Sequence, residues 1–458
     1  MHEHKVCRRW KGKVIEMNII LLSGGSGKRL WPLSNEVRSK QFIKLFKGET
    51  ADSRADEMES MVQRVYRQIK TVDEAAKVTI ATSKSQVSAI RNQLGDDVAI
   101  CVEPHRRDTF PAIVLAAVYL NEVQGVSLDE CVTVCPVDPF VENTYYETVA
   151  LLEKAAMQGD AKLTLMGIEP TYPSEKYGYI IPESKADISR VLAFKEKPDK
   201  ETAASYIGQG ALWNAGVFTF RLGYLIDIAH QMISFADYQD LYEKYDTLDK
   251  ISFDYAVVEK ESEIQVVRYV GDWKDVGTWN MMTEVMSEPT IGKVTMDETC
   301  QNTNVINELD IPVLCMGCKD MVVAVSNDGI LVADKEQSSY MKPYVDKLGG
   351  IIMYAEKSWG SYTVIDVQPE SYTIKVNLKP GHQMKYHSHY YRDEVWTVVS
   401  GRGRVVIDGA SRRVKAGDVV TLPAESKHTV IAETDLHIIE VQLGQDITVD
   451  DKTVYTME

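Results

Sequence analysis

The glycine-rich loop that follows the first apolar run is the feature that most constrains this sequence. Residues 18–22 read Asn-Ile-Ile-Leu-Leu, and residues 23–29 read Ser-Gly-Gly-Ser-Gly-Lys-Arg. A short apolar run that ends in glycines predicts a buried strand followed by a tight loop. Glycine lets the backbone approach a phosphate closely, and Lys28, Arg29 and Lys40 can neutralise phosphate charge. The pattern therefore predicts a phosphate-binding loop, with an ordinary surface turn as the alternative.

Two common phosphate-binding motifs do not fit this loop. A Walker loop would need Gly at the position of Leu22 and Ser or Thr at the position of Arg29. A dinucleotide-binding fingerprint that starts at Gly25 would need a third small residue at the position of Leu30. The loop is therefore expected to belong to another class of nucleotide-binding protein.

Composition limits the partners of the chain. Its 458 residues carry a formal net charge of -16, which argues against a nucleic-acid or anionic-membrane partner. No apolar run reaches transmembrane length, and the first residues lack the apolar core of a signal peptide. We therefore expect a cytoplasmic protein with small anionic ligands, and we expect it to form a homo-oligomer.

The hydrophobic pattern divides the chain into four parts. Residues 1–16 predict an N-terminal extension, and residues 17–289 alternate strands and helices as in a mostly parallel α/β sheet. Residues 290–348 predict a small β-rich spacer, with a partial β-helix as one possible form. From 349 to 458 the two-fold alternation predicts an antiparallel β-barrel or sandwich.

The seven cysteines are scattered along the chain. Cys315 and Cys318 form a lone C-x-x-C without a second pair at zinc-finger spacing. A zinc or redox role remains open, but thiols buried in strands are the favoured interpretation.

The glycine loop resembles the G-G-x-G-T-R-L-x-P-L…P-K signature of sugar-1-phosphate nucleotidylyltransferases, in particular mannose-1-phosphate guanylyltransferases. Lys28 stands where the family has Thr, and Ser39 stands where it has the Pro before Lys40. The resemblance implies a Rossmann-like nucleotidyltransferase domain in which Arg29 and Lys40 are catalytic. It also implies a nucleotide-binding set that consists of Leu22, Gly24, Gly25, Gly27, Lys28, Arg107, Asp108 and Thr109.

Two aspartates are candidates for a metal site. Asp138 follows the apolar run Val134-Cys135-Pro136-Val137, and Asp275 lies in Trp-Lys-Asp-Val-Gly-Thr-Trp. These segments resemble the family motifs L-P-x-D-H and W-x-D-V-G-[ST]-W, although Pro139 replaces the His of the first. The resemblance implies that both carboxylates are catalytic and hold Mg²⁺, which suits the preference of this ion for carboxylate and phosphate oxygens. An isolated Asp is otherwise usually a cap or turn residue.

Further segments resemble the sugar-phosphate site of the same family, in the family's order. Tyr-Gly-Tyr-Ile at 177–180, Phe-Lys-Glu-Lys-Pro-Asp at 194–199 and Leu-Trp-Asn-Ala-Gly-Val-Phe at 212–218 match its motifs. The resemblance implies that Glu196 and Asn214 bind sugar hydroxyls, that Lys197 meets phosphate and that Gly178 allows close approach of the backbone. Without it, Glu196 and Lys197 would be interpreted as a solvated charge pair.

Asp108 has two possible roles. The family's R-N-T-A-P-A stretch appears here as Arg-Asp-Thr-Phe-Pro-Ala at 107–112. A carboxylate can accept both hydrogen bonds that the adjacent donors of guanine offer, so Asp108 is a candidate guanine reader. It is equally well placed to cap the helix predicted from Thr109 to Val123.

The last part of the chain resembles a cupin. The motif G-x₅-H-x-H-x₄-E-x₆-G is matched by Gly381, His387, His389, Glu394 and Gly401, and His428 lies in a partial second motif. These residues imply a site for Zn²⁺ or another divalent transition metal, with His387, His389, Glu394 and His428 as ligands. The alternative is a barrel that has kept its shape and lost its metal.

The fusion of these two parts resembles bifunctional enzymes that join a mannose-1-phosphate guanylyltransferase to a type II mannose-6-phosphate isomerase. In an ungapped comparison with the isomerase motif, His387 replaces Gln, and Tyr391 and Val395 each replace His. We therefore expect transfer of a guanylyl group from GTP to α-mannose 1-phosphate and little isomerase activity. The alternatives are a catalytic isomerase cupin, or the same transfer to a heptose or fucose 1-phosphate with the cupin as a sugar-sensing or assembly module.

Overall fold

A computed structural model of the chain describes residues 9–10, 13–14, 16–25, 27–48, 58–445, 447–448 and 451–457. The chain divides into two compact units. The first comprises Met1–Gly25 and Lys44–Gly277, and the second comprises Ser26–Ile43 and Thr278–Glu458. Of the predicted extension 1–16, residues 1–8, 11–12 and 15 lie outside the described part.

The first unit contains the α/β part of the chain. Its strands are β1 (Arg9–Trp10), β2 (Lys13–Val14), β3 (Asn18–Leu22), β4 (Lys44–Lys47), β5 (Met58–Ser60), β6 (Lys77–Ser83), β7 (Ala99–Glu103), β8 (Cys131–Pro136), β9 (Pro139–Val141), β10 (Leu163–Ile168), β11 (Tyr179–Pro182), β12 (Ile188–Lys195), β13 (Leu212–Arg221), β14 (Ile264–Tyr269) and β15 (Trp273–Asp275). Its helices are α1 (Met61–Val72), α2 (Val87–Leu94), α3 (Thr109–Glu122), α4 (Asn143–Gln158), α5 (Lys200–Gly208), α6 (Leu222–Met232) and α7 (Tyr238–Lys244). Single turns occur at Lys84–Gln86 and Tyr245–Thr247, and a short π-helix spans Asp254–Val258.

The main sheet of this unit has nine strands in the order β10-β14-β12-β11-β13-β8-β3-β6-β7. Strands β8, β3, β6 and β7 are parallel, as the alternating pattern predicts. The other half is antiparallel except for the β10–β14 pair. The connection between β11 and β12 is only residues 183–187, which allows an antiparallel hairpin but not a helical crossover. The sheet is therefore mixed, and the parallel half carries the glycine loop.

Helix α3 packs into the centre of the first unit. It is apolar on every side, and Ile113, Val114 and Leu115 are all fully buried. A helix that is hydrophobic all round is expected where both of its sides face a core. Its start at Thr109 agrees with the prediction, and its end at Glu122 is one residue short of it.

The second unit contains the spacer and the C-terminal sheets. Its strands are β16 (Thr290–Ile291), β17 (Val294–Met296), β18 (Asn304–Asn307), β19 (Val313–Cys315), β20 (Met321–Ser326), β21 (Gly329–Asp334), β22 (Tyr354–Lys357), β23 (Gly360–Gln368), β24 (Ser371–Leu378), β25 (His387–Ser388), β26 (Arg392–Ser400), β27 (Arg402–Ile407), β28 (Ala410–Lys415), β29 (Val419–Leu422), β30 (His428–Ala432), β31 (Leu436–Gly444) and β32 (Thr453–Val454). Its helices are α8 (Trp279–Val285) and α9 (Lys342–Leu348), with single turns at Gly27–Leu30, Lys40–Phe42 and Gln337–Tyr340.

The strands of the second unit follow two different patterns. In the spacer, β16-β18-β20 and β17-β19 pair in parallel, as the rungs of a partial β-helix do. After β21, a six-stranded and a five-stranded antiparallel sheet enclose an apolar core that includes Trp396, Val405 and Val430. Gly401 adopts φ +87°, and a Cβ there would come within 2.0 Å of the Asp435 carbonyl oxygen. This position of the cupin motif therefore requires glycine.

No helix in the described part of the chain is both long enough and apolar enough to cross a membrane.

Candidate functional site

The glycine loop leaves the carboxyl end of β3 and is attached to the neighbouring strand β6. Thr82 donates from its Oγ1 to the carbonyl of Ser23, at 3.0 Å. Gln86, which is fully buried, donates from Nε2 to the carbonyl of Gly25, at 3.3 Å. These contacts hold the start of the loop at the sheet edge, which is where ligands bind in open α/β sheets.

A buried carboxylate lies beside this loop. A Cβ at Gly24 would be 3.3 Å from Oε1 of Glu103, so the loop backbone passes close to that side chain. Glu103 ends β7, and its Oε2 accepts a hydrogen bond from the Tyr245 hydroxyl at 3.0 Å. Burial raises the pKa of Glu103. The sequence analysis did not select this residue, because a single Glu at the end of a strand carries no motif of its own.

The cations that follow the loop belong to the second unit. Lys28 forms ion pairs with Asp346, at 3.2 Å, and with Glu36, at 3.4 Å, and these partners raise its pKa. Arg29 lies in the same short turn with an exposed side chain, and Lys40 begins the turn Lys40–Phe42. Lys28 therefore has carboxylate partners that its position in the motif does not reveal.

The two predicted metal-binding aspartates lie at one end of a small ladder. Strands β9 and β15 pair antiparallel, and Asp275 is directly opposite Pro139. Because Asp138 immediately precedes Pro139, both carboxylates come from the same end of this ladder, and both side chains are half-buried. Two adjacent carboxylates suit a divalent cation that takes its remaining ligands from phosphate and water. The structure therefore brings this predicted pair together.

An aromatic cluster adjoins Asp275. The ring of Tyr177 lies 4.9 Å from that of Trp213 and 5.4 Å from that of Trp273, measured between centroids. Burial, and next the charge of Asp275, raise the pKa of Tyr177. The indole Nε1 atoms of both tryptophans are buried and have no hydrogen-bond partner in the described structure. These three residues lie within the motifs described above, but none of them was predicted to be a site residue from the sequence.

The four predicted sugar-phosphate residues also come together. Asn214 donates its backbone N–H to the carbonyl of Gly178 at 2.8 Å, and Lys197 Nζ lies 2.5 Å from Glu196 Oε1. A Cβ at Gly178 would be only 2.5 Å from Glu196 Oε2, so only glycine leaves room for that carboxylate. Glu196 is therefore the buried member of this ion pair, and Lys197 is its exposed member.

Asp254, which the sequence analysis missed, joins this group. It begins the π-helix Asp254–Val258, and its Oδ1 accepts a hydrogen bond from Asn214 Nδ2 at 2.7 Å. Burial, and next the charge of Glu196, raise the pKa of Asp254 to about 7. A single π-turn is uncommon and is frequently found at functional sites.

Asp108 and its neighbours make local structural contacts. Asp108 Oδ1 accepts from the backbone N–H of Thr109 at 2.8 Å, with φ +68°, and so occupies the N-cap of α3. Arg107 donates to the backbone carbonyl of Asp246, and His105 contacts the carboxylate of the same residue. A cleft of about 340 Å³ lies against this segment, lined by His105, Arg106, Arg107, Asp246 and Lys250. The geometry supports the capping role of Asp108.

Three histidines converge inside the C-terminal sheets. His387, His389 and His428 are buried, and one ring nitrogen of each lies within 4.8 Å of the others. In each ring Nδ1 faces a backbone carbonyl: that of Lys385 at 2.6 Å, that of Asp451, and that of Ser426 at 2.9 Å. With Nδ1 on a carbonyl, Nε2 of each ring is the atom that could bind a metal, although Nε2 of His389 accepts from Arg392 at 3.1 Å. Within the described part of the chain, it is the one group of three potential ligands at such spacing.

Glu394, the fourth predicted ligand, lies beside two of these histidines. Its Oε1 is 3.1 Å from His389 Nε2, and its Oε2 is 3.3 Å from His428 Nε2. Arg392 donates to both Glu394 and His389, and Trp396 donates to Glu394 Oε2 at 3.1 Å. Three imidazoles and one carboxylate form a donor set that suits a divalent transition metal.

The sequence analysis missed two further groups near Glu394. Burial, and next the charge of Glu394, raise the pKa of Glu440 to about 8, and burial lowers the pKa of Lys452. Glu440 lies in β31 and Lys452 lies just before β32, so both are outside the segments that carry the cupin motif.

Four of the six described thiols agree with the favoured interpretation of burial in strands, whereas Cys300 and Cys318 lie outside strands. Cys101, Cys131, Cys135 and Cys315 are buried, and Cys300 and Cys318 are half-buried. Cys300 Sγ contacts the carbonyl of Cys315 at 3.5 Å and Asp297 Oδ1 at 3.3 Å. No described group of three cysteine sulfurs meets the spacing of a metal site.

Comparisons with known proteins assign the chain to a family. A nucleotidyl transferase family model matches residues 18–290, and a model described as mannose-6-phosphate isomerase C-terminal matches residues 352–456. The xanthan biosynthesis protein XanB of Xanthomonas campestris pv. campestris (strain B100) is 31% identical over 94% of this chain and 96% of its own. A mannose-1-phosphate guanylyltransferase of Salmonella montevideo is 29% identical over 94% of this chain and 97% of its own.

A solved structure agrees. A protein of Thermus thermophilus, described as a mannose-1-phosphate geranyltransferase, is 28% identical with a TM-score of 0.59, over 73% of this chain and 99% of its own. The resemblance inferred from the sequence motifs is confirmed, as are the α/β class of the first unit and the cupin-like character of the C-terminal sheets. The chain belongs to the nucleotidyl transferase family.

Proposed function

We propose that this protein transfers a guanylyl group from GTP to α-mannose 1-phosphate and releases pyrophosphate. A phosphate oxygen of the sugar 1-phosphate forms a bond to the α-phosphorus of GTP, and the bond to the β-phosphate bridging oxygen breaks. The products are GDP-mannose and pyrophosphate. Relatives that carry the name mannose-1-phosphate guanylyltransferase support this choice of substrates over the isomerase alternative and over other sugar phosphates.

The register of β9 and β15 is the observation that carries the proposal. It brings Asp138 and Asp275 to one place from distant parts of the sequence. The two carboxylates would hold a divalent cation, which we propose to be Mg²⁺, because a hard cation prefers carboxylate and phosphate oxygens. When bound, such an ion supplies positive charge to the reacting phosphates.

The residues of the chain position the substrates. The loop backbone at Gly24, Gly25 and Gly27 offers N–H groups to the phosphates of GTP, and Arg29 and Lys40 oppose the charge of the leaving pyrophosphate. On the sugar side, Glu196 and Asn214 bind hydroxyl groups, and Lys197 binds the sugar phosphate. The transfer needs positioning and charge neutralisation more than covalent chemistry from the protein.

Asp275→Asn tests the proposal, with Asp272→Asn as the matched control. Asp272 lies three residues away in the chain and is exposed, so its charge can be removed without touching the carboxylate pair. We expect Asp275→Asn to lower the rate of pyrophosphate release by about 100-fold or more with an unchanged melting temperature, because the pair loses one charge. The control should behave as wild type. Near wild-type turnover in Asp275→Asn would remove this carboxylate from the site.

We also propose that the C-terminal sheets hold Zn²⁺ or another divalent transition metal. The three buried histidines present their Nε2 atoms inward, and Nε2 of His428 has no hydrogen-bond donor in the described structure. His387, His389, Glu394 and His428 would be the ligands. The proposed enzyme works in the cytoplasm as a homo-oligomer.

A further inference from the structure

Three side chains of the sugar-phosphate site converge from three separate elements of the first unit. Glu196 follows β12, Asn214 lies in β13 and Asp254 begins the π-helix. The amide of Asn214 is fixed at both ends: its Oδ1 accepts from the Gly216 N–H at 3.1 Å, and its Nδ2 donates to Asp254 Oδ1 at 2.7 Å. The two contacts agree on the orientation of the amide, and one N–H of Asn214 remains for another partner.

Glu196 provides a second observation that points to a ligand. It is 7% exposed, and its Oε2 is buried without a hydrogen-bond partner in the described structure. A buried carboxylate oxygen without a donor is costly, so it is usually satisfied when a ligand is bound. The same oxygen packs against Gly178, where a Cβ would be 2.5 Å away.

Asp254 is a further acceptor at the same place. Its side chain is half-buried, and one hydrogen bond from Asn214 leaves most of its lone pairs available. The charges of Glu196 and Asp254 repel each other, and Lys197 offsets this only in part. Two carboxylates held together in this way are satisfied best by a ligand that donates several hydrogen bonds and carries no further negative charge at that point.

We infer that Asp254 binds a hydroxyl group of the sugar directly, while its Oδ1 holds Asn214 for a neighbouring hydroxyl. The inference rests on the proposed function, because it takes the ligand of this site to be a sugar 1-phosphate. Vicinal hydroxyls are donors that fit two carboxylates, and their acceptor oxygens fit the remaining N–H of Asn214. Asp254 is thereby a specificity-determining residue, because it distinguishes sugars by the presence of that hydroxyl.

Asp254→Ala tests the inference with α-mannose 1-phosphate and its 2-, 3-, 4- and 6-deoxy analogues as substrates. We expect KM for α-mannose 1-phosphate to rise about tenfold or more, because a charge-assisted hydrogen bond is lost, with KM for GTP within about twofold of wild type. With the analogue that lacks the hydroxyl bound by Asp254, the difference in KM between wild type and variant should be smallest, because only the contribution that acts through Asn214 is left to lose. The matched control is Asp249→Ala, which removes an exposed carboxylate five positions earlier and should change nothing.

The outcomes separate this inference from the proposed function. If wild-type protein releases no pyrophosphate with α-mannose 1-phosphate, the proposed function fails. If wild type is active, two results overturn the inference, because Asp254 then does not bind the sugar. The first is an unchanged KM for α-mannose 1-phosphate in Asp254→Ala, and the second is an equal rise in KM with every deoxy analogue. Should Asp254→Ala fail to fold, the near-isosteric Asp254→Asn is measured with the same analogues and judged by the same dependence on one hydroxyl.

Discussion

Replacing Asp254 by Asn should stabilise the protein at neutral and alkaline pH. In the folded state burial and the charge of Glu196 raise the pKa of Asp254 from 3.8 to about 7, so ionising this carboxyl is unfavourable there. In the unfolded chain it ionises near its ordinary pKa. Asn removes the charge and keeps an oxygen that can accept the hydrogen bond from Asn214 Nδ2.

The sign of the pH dependence follows from proton linkage. Between about pH 4 and pH 7 the folded state binds a proton that the unfolded state has lost, so the stability of wild type falls as the pH rises through this range. A pKa raised from 3.8 to about 7 corresponds to an upper limit of about 4 kcal/mol, which is fully lost above pH 8. Solvent that reaches the half-buried carboxylate screens part of this unfavourable energy. We therefore expect the free energy of unfolding of Asp254→Asn to exceed that of wild type by about 1–3 kcal/mol at pH 8.

The assay is the melting temperature of wild type, Asp254→Asn and the exposed control Asp249→Asn at pH 5 and pH 8. About 1 kcal/mol corresponds to about 2–4 °C for a unit of this size, so Asp254→Asn should melt at least about 2 °C above wild type at pH 8. At pH 5 the difference should be clearly smaller than at pH 8, because only the part of the loss that accumulates between about pH 4 and pH 5 is then present. An equal shift at both pH values, or a destabilised variant at pH 8, would refute the reasoning. Glu196, Lys197 and Tyr255 also interact electrostatically in this group, and they are unchanged in all three proteins.

Two further predictions concern Asp108 and the histidine cluster. Asp108→Asn should keep the preference for GTP over ATP and the melting temperature, because Asn caps a helix as well as Asp and tolerates a positive φ; a lost preference for GTP would show that Asp108 reads the base. His428→Ala should reduce the transition metal bound per chain, measured by elemental analysis, by about tenfold or more, because one ligand of a four-ligand set is lost. The exposed control His382→Ala should retain its metal, and an unchanged metal content in His428→Ala would place the metal elsewhere.

Local features of the fold could be predicted from the sequence. The apolar run before the glycine loop is β3, and the apolar stretch after Asp108 is α3, because burial on all sides leaves a direct hydrophobic signal. The antiparallel half of the main sheet was not foreseen. Strands β11 and β12 are joined by a short connection and pair with each other. The pairing of β11 with β13 on its other side depends on contacts between residues far apart in the chain.

In the candidate site, too, some residues could be selected from the sequence and others only from the structure. Asp138, Asp275 and the histidines belong to short motifs, so their residue types and spacing select them as candidates before their neighbours are known. Asp254 could not be predicted in this way. It was selected because it contacts Asn214, forty positions away, and begins a π-turn, and a π-turn leaves no periodic signal in the sequence. The partners of Lys28 were hidden for the same reason, since Asp346 belongs to the distant helix α9.

The most direct test of the account is the rate of pyrophosphate release with each common nucleoside triphosphate and a panel of α-sugar 1-phosphates, namely mannose, glucose, fucose and heptose. The products are identified by mass, so that transfer is distinguished from simple hydrolysis. The account predicts that GTP with α-mannose 1-phosphate gives the highest kcat/KM, requires a divalent cation and yields GDP-mannose. A higher kcat/KM with another pair, or the absence of any nucleotide sugar among the products, would contradict it.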